Sequence, residues 1–95
     1  MRPGPLTLKD RGSGERPREQ ILKRGTERLS DRELLEAILG SGVAGHPVTN
    51  LANRVLDILD REKQEPSAEL LAAIPGLGTA KTALLCAMIE FGRRR

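Results

Sequence analysis

Aromatic residues are almost missing: Phe91 is the single one in 95 residues, with no Trp and no Tyr. Stacking of bases on aromatic rings, the usual grip on single-stranded nucleic acid, is thereby nearly excluded. The core has to be built from Leu, Ile, Val and Ala, which suits packed helices. Cys86 is the only cysteine, so there is no internal disulfide and no cysteine-rich zinc site. His46 is the only histidine, which rules out a multi-histidine catalytic metal centre within this chain. No apolar run reaches bilayer length and no signal-peptide pattern opens the sequence, so a reducing, cytoplasmic setting is expected. No nucleophile–base pair or ligand set stands out. The expectation is a non-enzyme without cofactor or metal.

What is present is charge, unevenly spread. The net formal charge is +3, but residues 1–32 carry +4, residues 33–92 carry −4, and Arg93, Arg94 and Arg95 restore +3. Basic ends favour a polyanionic partner; an acidic middle does not. Charge alone is equally consistent with a solvated surface.

Residues 1–15, rich in Pro, Gly and charge, read as an N-terminal arm preceding one domain over 16–95. A short helix is predicted next, with Pro17 in its first turn, Gly25 past its end, and Ile21 and Leu22 as its anchors. Ser30 and Glu33 form a capping box, opening a helix that presents Leu34, Leu35, Ile38 and Leu39 and stops at Gly40. Pro47 starts a third helix with a buried stripe of Val48, Leu51, Ala52, Val55, Ile58 and Leu59. Ser67 caps a fourth, with Leu70, Leu71 and Ile74, ending at Pro75-Gly76. A fifth runs from about Thr79 to Arg93. No segment alternates like a strand, so the fold class is all-α, about five short helices.

The chain repeats itself. "ELLEAILGSG" at 33–42 returns 36 residues later as "ELLAAIPGLG" at 69–78, identical at seven of ten positions. Each unit is a short capped helix, a glycine-bearing turn and a longer helix. In the second unit the turn places Gly76 and Gly78 where the chain reverses, with Leu77 plugging the space between the helices. The amides of Gly78, Thr79, Ala80 and Lys81 then open a helix, and such amides with the positive end of the helix dipole suit an anion. Lys81 adds a full charge. The spacing suits gripping a phosphate without reading a base. A tight helix–helix turn with a solvated lysine is the plainer reading of the same residues.

"IPGLGTAK" resembles the helix-hairpin-helix motif of DNA-binding proteins that do not read sequence, and two tandem copies look like the double helix-hairpin-helix domain. "ERPREQILKRGTERLSDRELLEAILGSG" together with "GLGTAKTALLCAMIEFGRR" is similar to the N-terminal domain of the RadC family (UPF0758), over roughly residues 7–95. The resemblance implies a bacterial-type, DNA-repair-associated protein whose hairpins contact duplex or branched DNA through its backbone. It implies backbone amides at Gly76, Gly78, Thr79 and Ala80 with Lys81 as counter-charge, and a weaker second site at Gly42, Gly45 and His46. Two departures matter. Thr82 stands where the motif usually has alanine, and the first turn, from Gly42 to Ala52, is about five residues longer than the step from Gly78 to Ala83. Relatives usually carry basic residues near the positions of Gly40 and His46; here only the imidazole is offered.

RadC proteins continue into a metallopeptidase-like domain of the JAMM type with a histidine–aspartate zinc site. The chain stops at Arg95, where that domain would begin, so a fragment or a stand-alone relative is expected. The alternative function is therefore a docking module that positions such a domain, with the hairpins purely structural. The fifth helix bears on this choice. Leu84, Leu85, Cys86, Ala87, Met88, Ile89 and Phe91 leave it almost no polar face, which predicts a central helix buried all round, or else an apolar strip that another domain or a second copy covers. Cys86 is expected to be an inert buried thiol, His46 a cap or loop residue as readily as a phosphate contact. Arg16, Arg18, Lys23, Arg24 and Arg28, and Arg93 to Arg95, are candidates to widen an electrostatic footprint. No membrane partner is expected, and oligomeric state is left open.

Overall fold

Capping decides where the helices begin. In the computed structural model, which describes residues 16–62 and 67–95, the Ser30 hydroxyl accepts from the Glu33 amide at 3.1 Å while the Glu33 carboxylate accepts from the Ser30 amide at 2.9 Å. This reciprocal pair opens α2 (Asp31–Leu39), after α1 (Pro17–Arg24). Pro47 precedes α3 (Val48–Arg61). The Ser67 hydroxyl accepts from the Leu70 amide and starts α4 (Ala68–Ala72), and α5 (Gly78–Arg94) closes the chain. Among the described residues all regular structure is helical, apart from one isolated bridge between Val43 and His46. The fold is all-α, as expected; the N-terminal arm over 1–15 lies outside the described residues.

The repeat is legible in space as two helix–turn–helix pairs, α2 on α3 and α4 on α5, with α1 packed on α2 and α4 also touching α3. A pair of short helices cannot bury its own apolar faces. The two pairs share one core of Leu35, Leu39, Leu51, Ala52, Val55, Ile58, Leu71, Ile74, Leu77 and Leu85. Four of these residues come from α3, so α3 is the central helix.

The expectation that the last helix is buried all round is overturned. Along α5 only Thr82 and Leu85 are buried; Leu84 is 42% and Phe91 66% exposed, and Ala83 and Ala87 face solvent. The reason is the length of its neighbour. α4 has five residues, about one and a half turns, and covers only the start of a helix of 17. Cys86 is accordingly half-buried rather than buried. Thr82, in place of the motif's alanine, is accommodated: its hydroxyl donates to the Gly78 carbonyl at 2.7 Å, the back-bonding that lets a buried threonine satisfy itself within a helix.

The anchors of α1 also differ from expectation. Leu22 is 87% exposed and Ile21 half-buried, whereas Pro17 and Gln20 are buried. The helix is held by a polar clasp instead: Arg18 donates from Nε to the Ala37 carbonyl at 2.6 Å and from Nη2 to the Ile38 carbonyl at 3.4 Å. Those are last-turn carbonyls of α2, which carry the negative end of its dipole and lack N–H donors along the helix. An apolar pattern cannot announce a helix that docks by a guanidinium. The Gln20 amide, in contrast, has neither atom hydrogen-bonded among the described residues. An unsatisfied buried amide is a net cost. Gln20→Met, similar in shape and free of that cost, is expected to raise stability by about 1 kcal/mol, read from the midpoint of urea unfolding at constant m.

Candidate nucleic-acid interface

The second hairpin turns over Ile74 to Gly78. Ile74 and Leu77 are both buried, Leu77 to 2% exposure, so the side chain between the glycines does plug the gap between α4 and α5. Anchoring those two apolar residues forces the backbone between and after them through the left-handed region: Gly76 has φ +87° and Gly78 φ +80°. A residue with a Cβ resists such angles. The reversal leaves Gly78, Thr79 and Ala80 exposed at the start of α5, where the first amides of a helix have no acceptor within it. Lys81 follows, half-buried. Among the described residues it has no ion pair, so its charge is uncommitted.

The first hairpin is built differently. Val43 and His46 exchange two backbone hydrogen bonds, 3.0 and 2.8 Å, closing a tight turn through Ala44 and Gly45. This spends the His46 amide internally, so His46 can offer only its ring. Gly42 is required for space: a Cβ there would lie 2.3 Å from the His46 carbonyl oxygen, 2.6 Å from the Val48 nitrogen and 2.9 Å from the Pro47 carbonyl carbon. Gly45 has open space around it.

The two turns meet. A Cβ built on Gly76 would lie 2.5 Å from Cγ of His46, so the imidazole of the first hairpin rests on the glycine backbone of the second. The structure thus brings His46 and Gly76 together, a contact that spacing in the sequence does not disclose. His46 is a strut between the turns.

Glu36 is a buried carboxylate that sequence reasoning missed. It is 2% exposed, accepts from the Thr49 hydroxyl at 2.7 Å in the first turn of α3, and has Arg32 Nε at 3.7 Å. A carboxylate beside a helix N-terminus complements its dipole, and the first unit supplies one from within at the start of α3. The repeat held the signal: at the 36-residue offset Glu36 corresponds to Ala72. The second unit has no such internal anion. The two units thus differ in the charge they bury beside the second helix of each pair.

The surrounding cations sort themselves. Arg18 is committed to α2. Arg93 and Arg94 both bond Glu90, each with a shortest distance of 2.6 Å; these hydrogen bonds, Arg93's first, hold the Glu90 carboxyl below the ordinary glutamate range. Arg54 and Arg61, which the sequence reading passed over, line an open groove with Ala73, Ile74 and Pro75 beside the second turn, as does Asp57. No group of three or more His, Cys, Asp or Glu residues that would hold a metal occurs among the described residues. No helix there is long and apolar enough to cross a membrane.

Comparison with known proteins gives a consistent answer. The family model for the UPF0758 N-terminal region matches residues 8–83. A UPF0758 protein of Bacillus velezensis is 44% identical over 92 residues, covering 95% of this chain and 40% of its own. The UPF0758 protein YsxA of Bacillus subtilis is 42% identical over the same length, with the same coverage. A UPF0758 protein of Aquifex aeolicus is 42% identical over 79 residues, 83% of this chain and 34% of its own. The chain therefore spans about 40% of the length of the curated relatives it matches. No solved structure matches it. A sequence match through both hairpins, carried at this identity by relatives from distant bacteria, places the chain in the UPF0758 (RadC) family, whose N-terminal region it represents.

Proposed function

We propose that this chain is a non-catalytic, sequence-independent DNA-backbone-binding module of a RadC-type repair protein in the cytoplasm, its paired hairpins forming a tandem helix-hairpin-helix domain. The observation that carries the reading is the second turn: two left-handed glycines open α5 with exposed amides beside an uncommitted Lys81. The amides of Gly76, Gly78, Thr79 and Ala80 hold one phosphate and Lys81 neutralises it. Arg54 flanks the same turn and extends the track. Gly42, Gly45 and His46 form the weaker partner, since Glu36 occupies the dipole end of the first unit. With no aromatic near either turn, the ligand is duplex or branched DNA read through its backbone.

The test is fluorescence anisotropy of a labelled duplex across a salt series. Wild-type affinity is expected to fall linearly in log–log form with salt. Lys81→Glu is expected to bind roughly tenfold or more weakly at low salt with a slope smaller by about one, its helical circular dichroism unchanged. Absence of wild-type binding even at low salt sinks the proposal. A second reading, in which the hairpins are scaffolding and the chain docks a metallopeptidase-like domain, is favoured by one feature, the open apolar side of α5.

A further inference from the structure

The internal repeat makes a prediction about surface as well as about core. On the first unit, α1 packs against α2 and its arginine is clasped to the α2 carbonyls; Glu33 and Glu36 of that unit are buried. At the 36-residue offset their counterparts are Glu69 and Ala72, and both are exposed. Nothing among the described residues plays the part of α1 on the second unit. What remains is an open groove between α4 and α5, walled by Ala68, Ala72, Ala83 and Cys86, with Thr79 at one end and Glu69 on its rim.

The same helix carries the shape that fits it. Ala83, Ala87 and Phe91 stand one turn apart and form a ridge along α5, and all three are exposed. Phe91, the chain's only aromatic, projects from the ridge, and the Arg95 guanidinium sits 5.9 Å from its ring centroid. We propose that this face is a homodimer interface, in which α5 of two copies pack antiparallel and Phe91 of each copy fills the alanine-walled groove of the other.

Three features select a second copy over another occupant. The first is register. Ala83 and Phe91 are equidistant from Ala87, each about 6 Å along the axis. An antiparallel crossing at Ala87 therefore sets Phe91 of each copy against Ala83 of the other, and the small residues between allow close approach. The second is charge. Arg95 travels with Phe91, so the crossing delivers a guanidinium to the rim that holds Glu69. A parallel pairing instead stacks Arg93, Arg94 and Arg95 of both copies at one end. The third is closure: knob and groove lie on one surface, so the contact is isologous and stops at two. Lys81 lies two residues from Ala83, about 200° around the helix, so the dimer leaves the phosphate site open and stands independently of the DNA reading.

The experiment is sedimentation equilibrium of the full chain from low micromolar to near-millimolar concentration. The wild type is expected to rise from monomer to dimer mass, and Phe91→Asp to weaken self-association at least tenfold without changing helical content, since Phe91 is outside the core. Lys81→Glu should dimerise as the wild type does. Cys86, on the groove wall, supplies a second readout: its reaction with a thiol reagent should slow at dimerising concentrations in the wild type and not in Phe91→Asp. A chain that stays monomeric throughout, or a dimer that Phe91→Asp leaves intact, overturns the proposal; a monomer would assign the face to a different polypeptide, as the docking reading requires.

Discussion

Gly42→Ala is expected to lower the melting temperature by more than about 10 °C. The added methyl meets one continuous stretch of backbone, at 2.3, 2.6 and 2.9 Å from the His46 carbonyl oxygen, the Val48 nitrogen and the Pro47 carbonyl carbon. No side chain can rotate to relieve it; the 43–46 turn or the start of α3 has to move. Overpacking of this kind costs about 1–3 kcal/mol and occasionally more. The upper end applies here because each contact is with backbone at the N-terminus of the central helix. For a domain of this size, each kcal/mol is worth about 4–8 °C. Gly45→Ala is the internal control. It must adopt φ +81° but meets nothing within 4 Å, so only the left-handed backbone cost of about 1–2 kcal/mol remains. Thermal unfolding by circular dichroism distinguishes the two, and equal effects would contradict the packing described for Gly42.

Gly76→Ala is the second large effect, and it has two separable parts. One is conformational: φ +87° costs a residue with a Cβ about 1–2 kcal/mol. The other is steric. The new methyl would lie 2.5, 2.7 and 2.8 Å from Cγ, Cδ2 and Cβ of His46, and displacing that ring costs about 1–3 kcal/mol more. His46→Ala removes the steric part and leaves the first. A double-mutant cycle should therefore show Gly76→Ala less damaging by about 1 kcal/mol or more in the His46→Ala background. Additivity of the two changes would mean that the hairpins do not touch at this point. The coupling also bears on function, because His46, proposed for the weaker phosphate site of the first turn, then also holds the second turn in place.

How much of this was legible beforehand depends on which physical signal each feature carries. Helix starts were readable because capping is local: Ser30 with Glu33, Pro47 and Ser67 each announce themselves within four residues. The α3 stripe was readable because a helix with one buried face has a strict period, and Leu51, Ala52, Val55 and Ile58 are indeed buried. Leu77 followed from the glycines on either side. The failures share a cause. Sequence tells which side chains are apolar but not which have neighbours, so the uniformly apolar α5 reads as central although a five-residue α4 covers only part of it. The apolar pattern points to Ile21 and Leu22 as anchors, while α1 docks through Pro17, Gln20 and the Arg18 clasp. Long-range juxtapositions were invisible, as with Arg54 lining the same groove as Pro75. Glu36 was missed as well, although its mismatch with Ala72 in an otherwise close repeat carries the signal.

The most direct test of the central claim is an amide correlation spectrum of the isotope-labelled chain titrated with a short duplex at low salt. The largest shifts are expected at Gly76, Gly78, Thr79, Ala80 and Lys81, smaller ones at Gly42 and Gly45, and little change at Ala83, Ala87 and Phe91. Strongest shifts along the exposed ridge of α5, or none at the second turn while DNA is bound, would contradict it.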